Sequence, residues 1–228
     1  MKAMLLAAGR GERLRPLTEN LPKPMLEAGG KPLIFWQLER LAAAGFREVV
    51  INVSHLAERV IEQVGSGARF GLRIEYSPEV APLETAGGIA WARNLLGEAP
   101  FLLANADVYC EFDLGRLRGM ALGPHLVHLV LVPNPVHHPQ GDFTLETGLI
   151  GNGAAPRYTY AGIGVVSPAL VAQVARGEKA PLAPLLRAAA ERGLASGELY
   201  DGLWTDAGTA ERLAALEARL RLRHAAQG

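Results

Sequence analysis

Short apolar runs recur through the first half of the chain, and each is followed by a segment with helical spacing. Met4 to Ala7 is the first run, and a helix is predicted over Lys31 to Ala44 with Pro32 near its first position. Glu48 to Val53 (EVVINV) precedes a helix over His55 to Val64, and Leu72 to Ser77 (LRIEYS) precedes one over Thr85 to Leu96. Phe101 to Asn105 (FLLAN) is a further strand. Strands apolar at successive positions cannot rest one face on water, so they need cover on both sides. That requirement, with the alternation, predicts an α/β fold: a Rossmann-like mixed, mostly parallel sheet flanked by helices. In such sheets ligands bind beyond the carboxyl ends of the strands, and the glycine-rich and acidic segments of this sequence fall at those ends.

Beyond Asp113 the pattern loosens. His125 to Val132 and Tyr158 to Val166 read as strands, and Ser167 to Ala175 and Leu182 to Gly193 as helices. That order suits either a lobe laid over one sheet edge or a continuation of the same sheet. No linker separates residues 1–112 from 113–228, so one domain over 1–228 is expected. Apolar residues make up 49% of the 228, enough to bury one full core. In the last stretch, Thr209 to Arg223, Leu213, Leu216 and Leu220 recur at helical spacing, which suits a helix packed on that core or a seam between copies.

Charge narrows the function. Lysine plus arginine and aspartate plus glutamate number 23 each, so no global field draws the chain to nucleic acid or to an anionic membrane. Anion binding has to be local. Cys110 is the one cysteine, which excludes an internal disulfide and fits a reducing compartment. The opening apolar run is too short for a signal-peptide core, and no stretch approaches the roughly 20 apolar residues of a membrane span. A cytoplasmic protein is expected.

Straight after the first strand comes LAAGRGERLRPLT (Leu6 to Thr18). Gly9 and Gly11 leave backbone amides uncovered, a way of cradling phosphate oxygens, and Arg10, Arg13 and Arg15 accompany them. A dinucleotide fingerprint would need a third glycine where Leu14 stands. It would also need an acid at the end of the second strand, which closes on Asn52 and Val53. A Walker loop would need Gly-Lys-Ser/Thr. What remains is a loop for a nucleoside triphosphate, with Arg13 best placed to apply its planar fork to phosphates, or else a plain turn with solvated arginines. Lys23 sits between Pro22 and Pro24, whose rings stiffen the base from which its long side chain departs.

LAAGRGERLRPLT and the following Pro-Lys-Pro resemble the sugar-1-phosphate nucleotidyltransferases, whose signature is LAAGxGxRLxPLT followed by PKP. The resemblance covers nearly the whole chain. It implies the nucleotide-diphospho-sugar transferase fold, GT-A-like, with a nucleotide-binding first half and a sugar-binding second half. It implies further that Leu6, Ala7, Ala8, Gly9 and Gly11 wrap the nucleotide together with Asn105. Arg13 would contact the β- and γ-phosphates, and Lys23 would bridge the α-phosphate and the sugar phosphate. Asp107, after FLLAN, and Asp206, in WTDAGT, match the family's metal-binding aspartates, with Mg²⁺ as the metal. Arg13, Lys23 and Asp107 form the expected catalytic set. Asp206 also precedes Gly208 and Thr209, so a helix cap is the competing reading. Ala106 stands where the family commonly has glycine, which adds a methyl that should be tolerated.

Ala81 to Gly88 (APLETAGG) matches the segment that reads the pyrimidine, so UTP is the expected triphosphate, with Glu79, Glu84 and Thr85 as contacts. At the sugar end the resemblance points to His137, His138, Asp142 and Gly162. Adjacent histidines cannot readily share one metal and no Cys/His set accompanies them, so zinc is excluded. These segments and Lys179 to Arg187 (KAPLAPLLR) are most similar to the N-acetylmuramate 1-phosphate uridylyltransferases of peptidoglycan recycling. A lactyl carboxylate would need a cation, for which Arg187 or a histidine is the candidate. The alternatives are an enzyme for glucose, mannose or glucosamine 1-phosphate with another triphosphate, and a non-catalytic nucleotide-sugar-binding regulator. A monomer or weak homo-oligomer is expected.

Overall fold

A computed structural model describes residues 1–154 and 156–227. β1 (Ala3–Leu6) begins the sheet, and β2 (Glu27–Ala28) and β3 (Lys31–Pro32) form a small hairpin apart from it. Then α1 (Leu33–Ala43), β4 (Glu48–Val53), α2 (Ala57–Val64), β5 (Arg73–Pro78), α3 (Glu84–Trp91), α4 (Arg93–Leu96) and β6 (Phe101–Asn105) alternate, as the apolar runs predict. The later half adds β7 (Val108–Cys110), β8 (Val127–Val132), β9 (Phe143–Glu146), β10 (Leu149–Gly151) and β11 (Arg157–Val166). It closes with α5 (Leu182–Glu191), β12 (Ala195–Leu199), β13 (Trp204–Asp206) and α6 (Ala210–Gln227).

One nine-stranded sheet runs through both halves in the order β5-β4-β1-β6-β11-β8-β12-β10-β9, so the later strands continue the sheet and do not form a lobe over its edge. β5, β4, β1 and β6 pair in parallel, β11 runs against β6, and β8 runs against β11. β12 is parallel to β8, β10 runs against β12, and β9 against β10, so β11 and β10 oppose all the others. β9 also pairs with the first residues of β11, which curls the far edge back over that strand.

Successive residues of the central strands serve two layers. Leu5, Ile51, Leu102 and Ile163 face Ile34, Leu38 and Leu41 of α1, while Met4, Val50, Leu103 and Leu129 face Ile89 of α3 and Leu186 of α5. This double burial is why these runs are apolar without alternation.

The predicted helix over Thr85 to Leu96 is broken at Ala92 into α3 and α4. Ser167 to Ala175 is not a helix: it makes one 3₁₀ turn, Pro168–Val171. Continuation would need Ala175 N–H to reach Val171 O. Instead, Val171 O accepts from Val174 N–H and from Arg93 Nη2, and Ala175 N–H donates to Glu178 Oε2 at 2.9 Å.

α6 packs on its own chain. Leu213, Leu216 and Leu220 are buried against Leu14, Leu26, Leu33 and Tyr109, which selects core packing over a seam between copies. Leu216 is 2% exposed, and Leu216→Ala is expected to destabilise the protein by about 2–5 kcal/mol in urea unfolding. No helix among the described residues is long and apolar enough to cross a membrane.

Candidate active site

The carboxyl ends of β1, β4 and β6 meet under the glycine loop. Gly11 has φ +64°, and a Cβ there would come within 2.8 Å of Thr18 Cγ2. The buried Thr18 hydroxyl donates to Gly11 O at 2.8 Å, so the second glycine closes the loop on itself. Gly9 differs: nothing lies within 4 Å of where its Cβ would be, so of the two it is Gly9 that faces open space.

Asn52, at the end of β4, is a residue that the sequence marks only by not being an acid. Its Oδ1 accepts from Ala7 N–H at 2.9 Å and its Nδ2 donates to Glu79 Oε1 at 2.7 Å. Glu79 Oε2 accepts from Leu83 N–H at 2.9 Å. Burial pushes the Glu79 carboxyl above the ordinary range, against the pull of those hydrogen bonds from Asn52 and Leu83. Both oxygens face donors, so the carboxylate ties the Val80–Leu83 loop to two strand ends. Glu79→Gln would set an amide N–H against a donor, and a loss of about 1–3 kcal/mol is expected in denaturant titrations. A raised folded-state pKa gives stability at low pH that is lost as pH rises from the ordinary carboxylate range through the raised value. That slope should vanish in the variant.

Three adjoining hollows open beside this network. A cavity of about 280 Å³ is lined by Leu6, Ala7, Ala8, Gly9, Asn52, Glu79, Glu84, Thr85 and Asn105, with Lys23 and Asp107 at its side. A wider cleft of about 870 Å³ continues from Lys23 and Asp107 past Gly11 to Arg10, Arg13, Lys179 and Gly208. Arg10 and Arg13 make no ion pair or hydrogen bond through their side chains among the described residues, and they, not Arg15, line this cleft. Lys179, 3.5 Å from Glu84 Oε1, reaches the cleft from the segment before α5; in sequence it looks like any solvated lysine. A third cavity, of about 410 Å³, is lined by Asp142, Tyr160 and Arg187 among others and shares Leu6, Glu84, Thr85 and Asn105 with the first. Glu84, at this junction, has φ +60°, a conformation that costs a non-glycine residue about 1–3 kcal/mol and tends to occur at working sites.

β7 and β13 bring the two aspartates together. The strands pair antiparallel with Asp206 opposite Val108, and Ala207 N–H donates to Asp107 O at 2.9 Å. The Asp107 carboxylate takes the Lys23 ammonium. Asp206 Oδ1 lies 3.1 Å from Arg212 Nε and 3.4 Å from His137 Nε2. Neither contact is aligned as a hydrogen bond: Asp206 Oδ1 and Arg212 Nε and Nη2 are buried without one among the described residues. Thr209 Oγ1, not Asp206, accepts from Arg212 N–H at the start of α6, so the cap reading of Asp206 fails. The Ala106 methyl is buried in the core.

Residues of the far half close the other side. Asp142 Oδ2 accepts from Tyr160 N–H at 2.8 Å, and its Oδ1 is 3.1 Å from His138 Nε2. The neighbouring histidines thus serve different carboxylates, His137 at Asp206 and His138 at Asp142. Gly162, φ +74°, sits where β11 slips register against β8, and a Cβ there would come within 2.6 Å of Asn105 Nδ2. The Tyr160 hydroxyl is buried and has no hydrogen-bond partner among the described residues; burial, with the Asp142 charge, raises its pKa and keeps it protonated. Among the described residues no group of three or more His, Cys, Asp or Glu side chains gathers as a metal cage.

Known proteins resemble this chain in sequence and in fold. The nucleotidyl transferase family model matches residues 2–123. The N-acetylmuramate alpha-1-phosphate uridylyltransferase of Neisseria meningitidis serogroup B is 45% identical over 229 aligned positions, covering 96% of this chain and 97% of that protein. A mannose-1-phosphate guanyltransferase of Schizosaccharomyces pombe is 39% identical over 64% of this chain and 44% of its own length. Among solved structures, a Bacillus anthracis protein assigned as a glucose-1-phosphate thymidylyltransferase, in complex with a sucrose, superposes with a TM-score of 0.86 at 20% identity. That match covers 97% of this chain and 95% of the other. HddC from Yersinia pseudotuberculosis, complexed with GMP-PN, gives 0.77 at 19% identity over 96% and 98%. The structures share the fold, and the family match over more than half the chain, with a relative similar along nearly all of it, makes this chain a member of the nucleotidyl transferase family.

Proposed function

We propose that the chain transfers UMP from UTP to N-acetylmuramate alpha-1-phosphate, giving UDP-N-acetylmuramate and pyrophosphate, the activity for which its 45% identical relative is named. The observation that carries this reading is the junction of two cavities at Leu6, Glu84, Thr85 and Asn105, with the Lys23–Asp107 pair and two unpaired arginines beside it. One cavity takes the nucleotide and the other the sugar. Their phosphates then meet at Lys23.

In the reaction a sugar-phosphate oxygen attacks the α-phosphorus of UTP. The bond from that phosphorus to the oxygen bridging to the β-phosphate breaks, and pyrophosphate leaves with the electron pair. The attacking oxygen is already ionised at neutral pH, so no general base is required. Catalysis is positioning plus charge neutralisation. Lys23, held at the cleft by Asp107, exchanges that carboxylate for the attacking and α-phosphates. Arg13 covers the departing pyrophosphate. Asp107 and Asp206 suit Mg²⁺, which usually takes one or two carboxylates and fills its shell with water and phosphate oxygens. Asp206 ends β13 and Asp107 immediately precedes the paired β7, and Asp206 Oδ1, although 3.1 Å from Arg212 Nε, is a buried acceptor without a hydrogen bond among the described residues. When bound, Mg²⁺ neutralises and aligns phosphate oxygens.

In this reading the chain works as one domain, as a monomer or weak homo-oligomer, in the cytoplasm, in recycling of the cell wall. Pyrophosphate release from UTP with N-acetylmuramate 1-phosphate and Mg²⁺ tests it, and a panel crossing triphosphates with sugar phosphates keeps the alternatives in view. The similarity to mannose-1-phosphate guanyltransferases over 64% of the chain makes GTP with mannose 1-phosphate the second reading. A preference for that pair would replace the first.

A further inference from the structure

The third cavity is built differently from the nucleotide cavity. Leu103, Phe143, Leu182 and Leu186 give it an apolar wall, although a sugar ring presents mostly hydroxyls. Its polar lining is Glu84, Thr85, Asn105, Asp142, Tyr160 and Arg187. Both oxygens of Asp142 are occupied, one by Tyr160 N–H and the other by His138. The Tyr160 hydroxyl is a buried donor without a partner, which in folded proteins calls for an explanation. Arg187 lines the same cavity, and its guanidinium makes no ion pair or hydrogen bond among the described residues. One helix, α5, supplies the wall at Leu182 and Leu186 and the cation at Arg187. Two unengaged donors beside an apolar surface suit an anion carried on a short hydrocarbon arm.

We propose that this cavity recognises a carboxylate borne by a substituent of the sugar, with Arg187 as its ion-pair partner, the Tyr160 hydroxyl as a second donor, and the α5 leucines against the arm. The proposal rests on the transfer reading above and assigns sugar choice within it to Arg187. The guanidinium presents a fork matched to a carboxylate, which a lysine cannot reproduce. It stands at an exposed position on α5, so its effect is moderated by water.

N-acetylmuramate 1-phosphate and N-acetylglucosamine 1-phosphate differ in the lactyl ether alone, so the ratio of their kcat/KM values reads the carboxylate directly. Arg187→Gln is expected to lower that ratio about 10-fold, through KM for the carboxylate sugar, with Arg187→Lys intermediate and Tyr160→Phe shifting it the same way. An unchanged ratio in Arg187→Gln would overturn the assignment, because a merely structural role would depress both sugars together. Calorimetric binding of N-acetylmuramate 1-phosphate separates this failure from failure of the transfer reading. If no sugar phosphate is turned over yet binding weakens in Arg187→Gln, the transfer reading falls and the carboxylate pocket stands. Equal binding by both proteins sinks the pocket.

Discussion

Lys23→Ala is expected to reduce turnover by about 10²–10³-fold, the scale seen when a preorganised donor to a developing negative charge is removed. Its ammonium contacts the Asp107 carboxylate at the meeting of the cavity proposed for the nucleotide and the arginine-lined cleft, and its side chain is only 12% exposed. Pro22 holds an extended conformation before it, and Lys23 opens a 3₁₀ turn closed by Leu26 N–H on Lys23 O, so the side chain leaves from a constrained backbone. The loss should fall on kcat more than on the KM for UTP, since in the proposed reaction the charge that Lys23 neutralises grows in the transition state. Asp107→Asn should lose comparable activity by a different route, because it removes one carboxylate of the proposed metal pair and frees Lys23 together. Far-UV circular dichroism should be unchanged in both. Near-normal pyrophosphate release from either variant would refute the assignment.

The parts of this molecule that were legible in the sequence are those where one physical demand acts alone. Met4–Leu6, Val49–Ile51 and Phe101–Ala104 had to be apolar throughout because two layers cover them, and they are strands. The later strands obey mixed demands. Ala195–Leu199 reads ASGEL, with Gly197 packed against Ile150 and Glu198 pairing with Arg116, so neither period 2 nor a continuous apolar run marks it. The Ser167–Ala175 helix failed because side chains from Arg93 and Glu178 took the backbone groups it needed, and no window of local sequence contains both.

The site divides the same way. Arg13, Lys23 and the glycine loop stand within a few residues of one another, so their charge and backbone pattern could be read directly. Asn52 acts by bridging Ala7 and Glu79, and Lys179 by crossing from the other half of the chain to Glu84. Such residues become visible only when strands distant in sequence are paired. Arg212 is the extreme case: in sequence it is one arginine of a helix rich in them, and only the β7–β13 pairing with the docking of α6 sets it against Asp206.

That geometry makes Asp206 the second large effect. Asp206→Asn is expected to raise the Mg²⁺ concentration for half-maximal turnover about 10–100-fold, with part of kcat recovered at saturating metal because Asp107 remains. The asparagine keeps the shape of the side chain but not the charge that faces Arg212 Nε at 3.1 Å. Arg212 Nε and Nη2 are already buried without hydrogen bonds, so a neutral neighbour leaves an uncompensated cation, and metal-free stability should fall by about 1–3 kcal/mol. Arg212→Leu should recover that stability when combined with Asp206→Asn, since the double variant buries neither charge. A metal-free melting series on the single and double variants therefore reads the pairing independently of activity. The metal titration reads the role of the carboxylate: if Asp206→Asn needs no more Mg²⁺ than the parent protein, Asp206 serves Arg212 and His137 alone and the two-aspartate metal site is wrong.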